Sequence, residues 1–316
     1  MRVLVLHNPG AGDAHPSAGE LVKAFTAEGH DARYRSTKEG EWMGALAQPF
    51  DAVVAAGGDG TVRRVAMALA RRPPAVRPPL AIVPLGTANN IARALGVEGS
   101  AARVAAGLDR AARTRLAVGS VQAPWGRSRF VESAGVGIFG AMIRMTRDAS
   151  RRPGAPGGGG GGEQGGRIDR IYRGAETLRE ALDRAEAQPM HVLADGRDLS
   201  GSYFLAEAMN IISIGPCADL APAADPADDS MELVLAGEAE RSILEEYFAA
   251  LGTRELMPIP IHSHAVREVV LEWSPRDGHL DDELWPDGAR SSAAERATVR
   301  IEMETVLEVL SSGFWF

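Results

Sequence analysis

The chain has one cysteine, Cys217, so it cannot close an internal disulfide, and a reducing, cytoplasmic setting is the expectation. It also lacks any stretch approaching the roughly 20 consecutive apolar residues that cross a bilayer as a helix. The opening run Arg2-Val-Leu-Val-Leu-His7 is stopped at once by Asn8-Pro9-Gly10, and is read as a first strand, not a signal peptide. Positive charge is in deficit. The formal net charge of −8 speaks against a nucleic-acid binder, which would carry a basic footprint. One region does lean basic, with Arg144, Arg147, Arg151 and Arg152 before a glycine run and Arg167, Arg170 and Arg173 after it. A solvated helix face and a contact with anionic lipid headgroups both fit that pattern.

The 316 residues, 45% hydrophobic and 24% charged, are enough for two cores. Residues 2–7, 51–56 and 80–83 are short, continuously apolar runs. Between and after them, 17–29, 41–48, 62–69 and 91–95 show helical spacing. Strands alternating with helices predict a layered, parallel α/β domain over 1–118. Further on, strand-like segments crowd together at 117–122, 128–133, 190–194, 202–211, 231–235, 266–273 and 297–310, with turn signals at Asp195-Gly196 and Asp277-Gly278. They predict an antiparallel β-sandwich domain over 119–304. The glycine tract 154–166 reads as a disordered loop. Ile168, Ile171, Ala175, Leu178, Leu182 and Ala185 then mark an amphipathic helix over 168–186. The tail 305–316 is expected to return to the first domain.

Three glycine-bearing loops each follow a predicted strand: Asn8-Pro-Gly-Ala-Gly12, Gly57-Gly-Asp-Gly-Thr61 and Pro84-Leu-Gly-Thr-Ala-Asn-Asn90. In an open parallel sheet the ligand sits beyond the carboxyl ends of the strands, where all three loops would lie. Glycine lets the backbone approach phosphate oxygens, and loop amides with a following helix N-terminus favour negative charge. A branched side chain at Gly57 or Gly58 is expected to fill phosphate space while leaving the fold intact. Asp59 is odd among phosphates unless it faces a cation or accepts a proton. Thr61 reads as a helix start, and Thr87 and Asn89 as helix caps, nucleotide ligands, or both.

These loops, in this order and spacing, resemble the catalytic domain of the diacylglycerol kinase and sphingosine kinase superfamily, bacterial lipid kinases above all. The likeness continues through Phe130-Val-Glu-Ser-Ala-Gly-Val-Gly137, Met209-Asn210 with Gly215-Pro216, Ala221-Pro222, Asp228-Asp-Ser-Met-Glu-Leu233 and Leu280-Asp-Asp-Glu283. The resemblance implies a nucleotide in the cleft between the two domains, with ATP as donor and Mg²⁺ as cofactor. Asn8, Pro9, Gly12 and Thr37 would border the nucleotide, Gly57, Gly58, Asp59, Gly60 and Thr61 its phosphates, and Gly86, Thr87 and Asn89 would lie nearby. Asp281 would be the general base on the acceptor hydroxyl, with Glu283 and Asp59 assisting through metal or hydrogen bonds. Asp229 and the Met231 carbonyl would match a structural magnesium site. The implied partners are the nucleotide and a lipid acceptor, with peripheral membrane contact; the oligomeric state, a homodimer included, stays open. A kinase of NAD or a small alcohol, or a silent nucleotide- or lipid-binding protein, would use the same loops.

Two departures from the family's pattern bear on the site. Asp282 stands where the family has a glycine, a place of positive φ that Asp tolerates better than most residues. Asn90 stands where an aspartate is frequent. Glu132 lies on an early sandwich strand and faces either the cleft or the opposite side. Cys217 has no obvious activating partner and reads as inert.

Overall fold

The computed structural model describes residues 1–11, 15–151, 166–251, 259, 261–273, 276–287 and 296–311. The N-terminal part alternates β1 (Arg2–His7), α1 (Ala18–Ala27), β2 (Asp31–Ser36), β3 (Ala52–Gly57), α2 (Asp59–Ala70), β4 (Leu80–Pro84), α3 (Asn90–Ala94) and α4 (Ala101–Gly107). Its strands run parallel in the order β4-β3-β1-β2. Successive strand side chains point to opposite faces. Leu4, Leu6, Val53, Ala55, Leu80 and Ile82 therefore meet Val62, Val65 and Leu69 of α2 on one face. Val3, Val5, Val54, Ala56, Ala81 and Val83 meet Leu21 and Phe25 of α1 and Val104 of α4 on the other. Cover on both faces explains why β1, β3 and β4 are apolar, whereas the edge strand β2 is polar and partly exposed. A capping box between Ser17 and Glu20 starts α1.

The chain continues through β5 (Ala112–Ala123), β6 (Gly126–Phe130), β7 (Ser133–Gly137), α5 (Ile138–Ser150), α6 (Arg167–Asp183), β8 (Gln188–Met190), β9 (Val192–Ala194) and β10 (Arg197–Asp198). There follow β11 (Gly201–Tyr203), β12 (Leu205–Met209), β13 (Ser213–Ile214), β14 (Ala218–Asp219), β15 (Met231–Ala236) and α7 (Arg241–Ala250). The last strands are β16 (Ser263–Val266), β17 (Glu268–Trp273), β18 (Gly278–Leu280), β19 (Glu283–Leu284) and β20 (Ala297–Ser311). One antiparallel sheet has the order β16-β15-β12-β7-β18-β19. Through Ala134, Val136, Ala206, Ala208 and Leu233 it packs on Val121, Phe130, Val269, Leu271, Val299 and Ile301 of a second antiparallel layer. Its other face is covered by α5, α6 and α7, through Phe139, Leu178, Leu182, Leu244 and Phe248. The architecture is the α/β plus antiparallel β arrangement that the sequence predicts.

The long strand β20 ties the halves together. It pairs antiparallel with β17 and β5, while Val309 and Leu310 run parallel beside Leu80 and Ala81 of β4. Two local readings shift. Helix α5 had no counterpart in the strand pattern because its buried residues, Ile138, Phe139 and Gly140, are confined to its first turn. Asp277-Gly278 is no hairpin turn: Gly278 opens β18, and the hairpin loop is Asp281-Asp282. Of the glycine tract only Gly166 lies within the described residues. Among those residues no helix is long and apolar enough to cross a membrane.

Candidate active site

The loops after β1, β3 and β4 meet at one sheet end around a cleft of about 310 Å³. Asn8, Ala11, Gly58, Gly60, Thr61, Arg63, Arg64, Gly86, Asp282 and Glu283 line it. The glycines are needed by the packing of the loops themselves. A Cβ on Gly86 would fall 2.4 Å from the Gly58 Cα, and one on Gly58 would fall 2.9 Å from the Gly86 Cα. The β3 and β4 loops thus run backbone against backbone, leaving room for a ligand to approach their amides. Gly57 behaves differently. It is buried, and a Cβ there would meet the Thr61 side chain at 2.4 Å, so a branched residue would damage the fold and not only the ligand space.

Several expected nucleotide residues stand behind the cleft wall. Thr37 is buried, its amide and hydroxyl both donate to the His7 carbonyl, and its own carbonyl accepts from Arg64. Asn89 adopts φ 54, and its side chain closes on Gly86, accepting from the Gly86 amide at 2.8 Å and donating to the Gly86 carbonyl at 3.0 Å. It holds the N-cap position of α3, but its side chain makes no capping hydrogen bond. Thr87 accepts from Arg170 and its carbonyl from Arg167, which join α6 to this loop. Pro9 is exposed, and Gly12 lies outside the described residues. Helix α2 begins at Asp59 behind the N-cap Gly58, so Thr61 belongs to its first turn.

The carboxylates sort into two groups. Asp59 accepts the Ile91 amide at 3.0 Å, so it caps α3 from the neighbouring loop. Burial nonetheless raises its pKa. Asp281 lies further in. Its side chain is fully buried, and it accepts the amides of Val131 (3.0 Å), Glu132 (2.6 Å) and Ser133 (3.1 Å). Burial pushes its carboxyl up to about 6, against the pull of Arg63 and those amides. Asp281, expected as the base, does not line the cleft; Asp282 and Glu283 do. Positive φ also falls on Asp281 (φ 53) and not on Asp282, because Asp281 is the first residue of the two-residue β18–β19 hairpin loop.

Arg63, on α2, binds this acidic turn. Its guanidinium reaches Asp282 at 3.1 Å and Asp281 at 3.9 Å, and pairs closely with Glu283. Glu132 faces inward, fully buried, and its pKa is raised well above the ordinary carboxylate value by burial and by Asp59, Asp281 and Asp282. Its near neighbour is Asn90, whose amide approaches at 3.5 Å. Arg63 and Arg64 were missed in the sequence, although Gly60, Arg63, Arg64, Met67 and Arg71 follow helical spacing along one face of α2. A second cavity of about 610 Å³ adjoins the cleft. Trp42, Met43 and Met67 give it apolar wall, Arg71, Arg127 and Arg129 give it charge, and Arg63, Arg64 and Glu283 line both cavities.

Asp229 and Met231, whose carbonyl the sequence pairs with it as a magnesium site, stand at the start of β15. Asp229 is two-thirds exposed and already paired with Arg267 at 3.2 Å. Among the described residues no three His, Cys, Asp or Glu side chains gather as a metal site. Cys217 is pushed up by burial, which leaves an unreactive thiol.

Residues 2–121 match the diacylglycerol kinase catalytic domain family. A probable lipid kinase YegS-like from Pseudomonas aeruginosa strain UCBPP-PA14 is 46% identical over 120 residues, 35% of this chain and 37% of that protein. A diacylglycerol kinase from Bacillus subtilis strain 168 is 33% identical over 103 residues, 30% of this chain and 33% of that protein. The chain thus spans about a third of the length of the curated relatives it matches. A crystal structure of a diacylglycerol kinase from Bacillus anthracis str. Sterne superposes over 98% of this chain and 94% of its own, with TM-score 0.66 and 20% identity. That likeness is one of fold, and it runs through both halves of the molecule.

Proposed function

We propose that the chain is an ATP- and magnesium-dependent kinase that phosphorylates a hydroxyl of a lipid such as diacylglycerol. The observation that carries this reading is the junction of the two cavities at Arg63, Arg64 and Glu283, beside glycine loops open to phosphate. A phosphoryl group passing between two substrates must cross such a junction. The nucleotide phosphates lie along Gly58, Gly60 and Gly86, between Asn8 and the acidic turn. The acceptor hydroxyl reaches the junction from the larger cavity, past Trp42, Met43 and Met67. Glu283 takes its proton, and Arg63 faces the charge that develops on the phosphoryl group. Magnesium commonly needs only one or two carboxylates besides substrate phosphates and water. Asp282, which lines the cleft beside Gly60, fits that donor set, and the metal would supply neutralising charge there; Asp59 stands behind Gly60 and would act on it through the loop. Asp281 anchors the turn that presents its two acidic neighbours.

A lipid acceptor asks for contact with a bilayer surface. Ile168 and Tyr172 stand 62% and 42% exposed one turn apart on α6, the helix whose Arg167 and Arg170 hold the Thr87 loop. We assign this exposed apolar pair to a membrane surface. Ile168→Asp should cut sedimentation with phosphatidylglycerol vesicles and leave transfer to lipid in detergent micelles unchanged. The function itself is tested with γ-labelled ATP and Mg²⁺ against diacylglycerol in mixed micelles, other extracted lipids, and NAD. Label in lipid is the expected result; label in NAD, or in none of them, would overturn the reading.

A further inference from the structure

Two buried titratable side chains take no part in the cleft. Glu207 of β12 and His279 of β18 are both fully buried, and they meet at 3.0 Å, His279 Nε2 to Glu207 Oε2. Their strands are not neighbours. β7 runs between them, and the residue opposite both is Gly135. A Cβ on Gly135 would lie 1.9 Å from Glu207 Oε2. Glycine at 135 is therefore what lets two side chains reach across the middle strand. The other ring nitrogen, His279 Nδ1, lies 3.0 Å from the backbone carbonyl of Asp281. A carbonyl only accepts, so Nδ1 carries a proton and donates it there. One further proton lies between Nε2 and Glu207, which leaves the pair without net charge. Among the described residues Glu207 Oε1 has no hydrogen-bond partner.

As a source of stability this arrangement is poor, because a buried ionic pair is commonly matched or bettered by apolar residues of similar volume. Its surroundings on this face, Phe139 at 6.4 Å from the imidazole and Leu205 and Met209 along β12, would accept such residues. What the pair does have is a hydrogen bond to one particular peptide. That peptide belongs to Asp281, which holds φ 53, a conformation that costs energy for a residue with a side chain. From that position the Asp281 amide donates to the Ser133 carbonyl at 2.9 Å, and its carboxylate accepts from residues 131–133.

We propose that Glu207 and His279 are positioning residues: the pair grips the Asp281 carbonyl across β7 and so holds the hairpin loop that presents Asp282 and Glu283 to the cleft. This rests on the kinase reading for its consequence in turnover, but not for its structural claim. The decisive variant is Glu207→Leu with His279→Phe, which fills the space without the donor. Three readouts apply: kcat and KM for ATP on the lipid acceptor, thermal midpoint, and hydrogen exchange at the Glu132 and Ser133 amides. The expected result is an unchanged or higher midpoint, an unchanged KM for ATP, and kcat lowered at least about tenfold. Exchange at Glu132 and Ser133 should quicken while Val136 on the same strand stays protected. Glu207→Leu with His279→Asn, which returns a donor near Nδ1, should restore protection and most of the turnover. Glu207→Gln, which can still donate to the ring, should resemble the wild type. Normal kcat with normal protection in the Leu/Phe variant overturns the proposal. If that variant fails to fold, lost protection at Glu132 and Ser133 in the Gln and Asn variants does so. A wild type that labels no lipid sinks the kinase reading alone, since the exchange measurement still decides this one.

Discussion

Replacing Asp281 separates an anchor from a base. In Asp281→Ala the amides of Val131, Glu132 and Ser133 lose their acceptor inside the fold. Each stranded donor costs about 2 kcal/mol, so the three together cost about 6 kcal/mol. Burial, however, holds the Asp281 carboxyl at about 6 where the ordinary value is 3.8. Ionising it at neutral pH therefore already costs about 3 kcal/mol, a penalty that alanine does not carry. The expected net loss at neutral pH is about 3 kcal/mol, read by urea denaturation. The sign with pH follows from the raised value. Between 3.8 and about 6 the native state keeps a proton that the unfolded chain releases, so Asp281's contribution to stability falls as pH rises through that window and is flat above it. The alanine deficit should accordingly grow toward about 6 kcal/mol at the acid end of the window. A deficit that shrinks on acidification contradicts this account.

Asp281→Asn carries the same test to turnover. Asparagine keeps Oδ1, which accepts from all three amides, and gives up the Oδ2 contacts with the Val131 amide at 3.1 Å and with Arg63. An anchor that keeps its main bonds predicts a fall in kcat of less than about tenfold. A general base predicts a loss of about 10²–10⁴-fold. A hundredfold loss with an unmoved urea midpoint would restore Asp281 as the base.

Two more variants probe the cleft. Gly86→Ala must push the β3 and β4 loops apart, since its Cβ would fall 2.4 Å from the Gly58 Cα, and titration calorimetry should show ATP binding at least about tenfold weaker. Unchanged affinity would place the phosphates elsewhere. Glu283→Gln alters a side chain that is 66% exposed, so stability should move by less than about 0.5 kcal/mol while kcat falls by about 10²–10⁴-fold. Near-normal turnover would remove Glu283 as the base.

The loops were legible because each follows a continuous apolar run, and because a backbone that must be approached closely selects glycine at visible spacing. The parallel order of the first domain was legible for the same reason: strands covered on both faces cannot hide among polar residues. The acidic run 281–283 was not. Three similar side chains in a row give no sign of which one turns inward. That is decided by the hairpin loop, which gives positive φ to Asp281, and by three amides from a strand about 150 residues away. Glu132 was ambiguous between two faces until packing against Asn90 placed it inside. Asp59 announced itself as a polar residue among glycines, but its bond to Ile91 joins two loops that are separate in sequence. Glu207 and His279 gave no signal at all, since their meeting depends on a glycine in a third strand.

Arg63 is where these buried groups can be tested together. It faces Asp281, Asp282 and Glu283 at once and is itself nearly buried. Its charge lowers the pKa of Asp281, although burial more than offsets that pull. Arg63→Met removes the charge and leaves three carboxylates facing an apolar stem. The Asp281 carboxyl should then rise above about 6, so that it carries a proton at a pH where the wild-type carboxyl is ionised. The acid limb of the pH–kcat/KM profile should move to higher pH. Arg63→Lys retains a charge but has no planar fork to reach Asp282 and Glu283 together. It should leave the acid limb close to the wild-type position and lower kcat instead, because the turn keeps its ionisation but loses its orientation. The pair of variants therefore divides charge from geometry. If both shift the acid limb equally, the fork and not the charge controls Asp281; if neither shifts it, the limb belongs to another group, and the value near 6 for Asp281 loses its role in turnover.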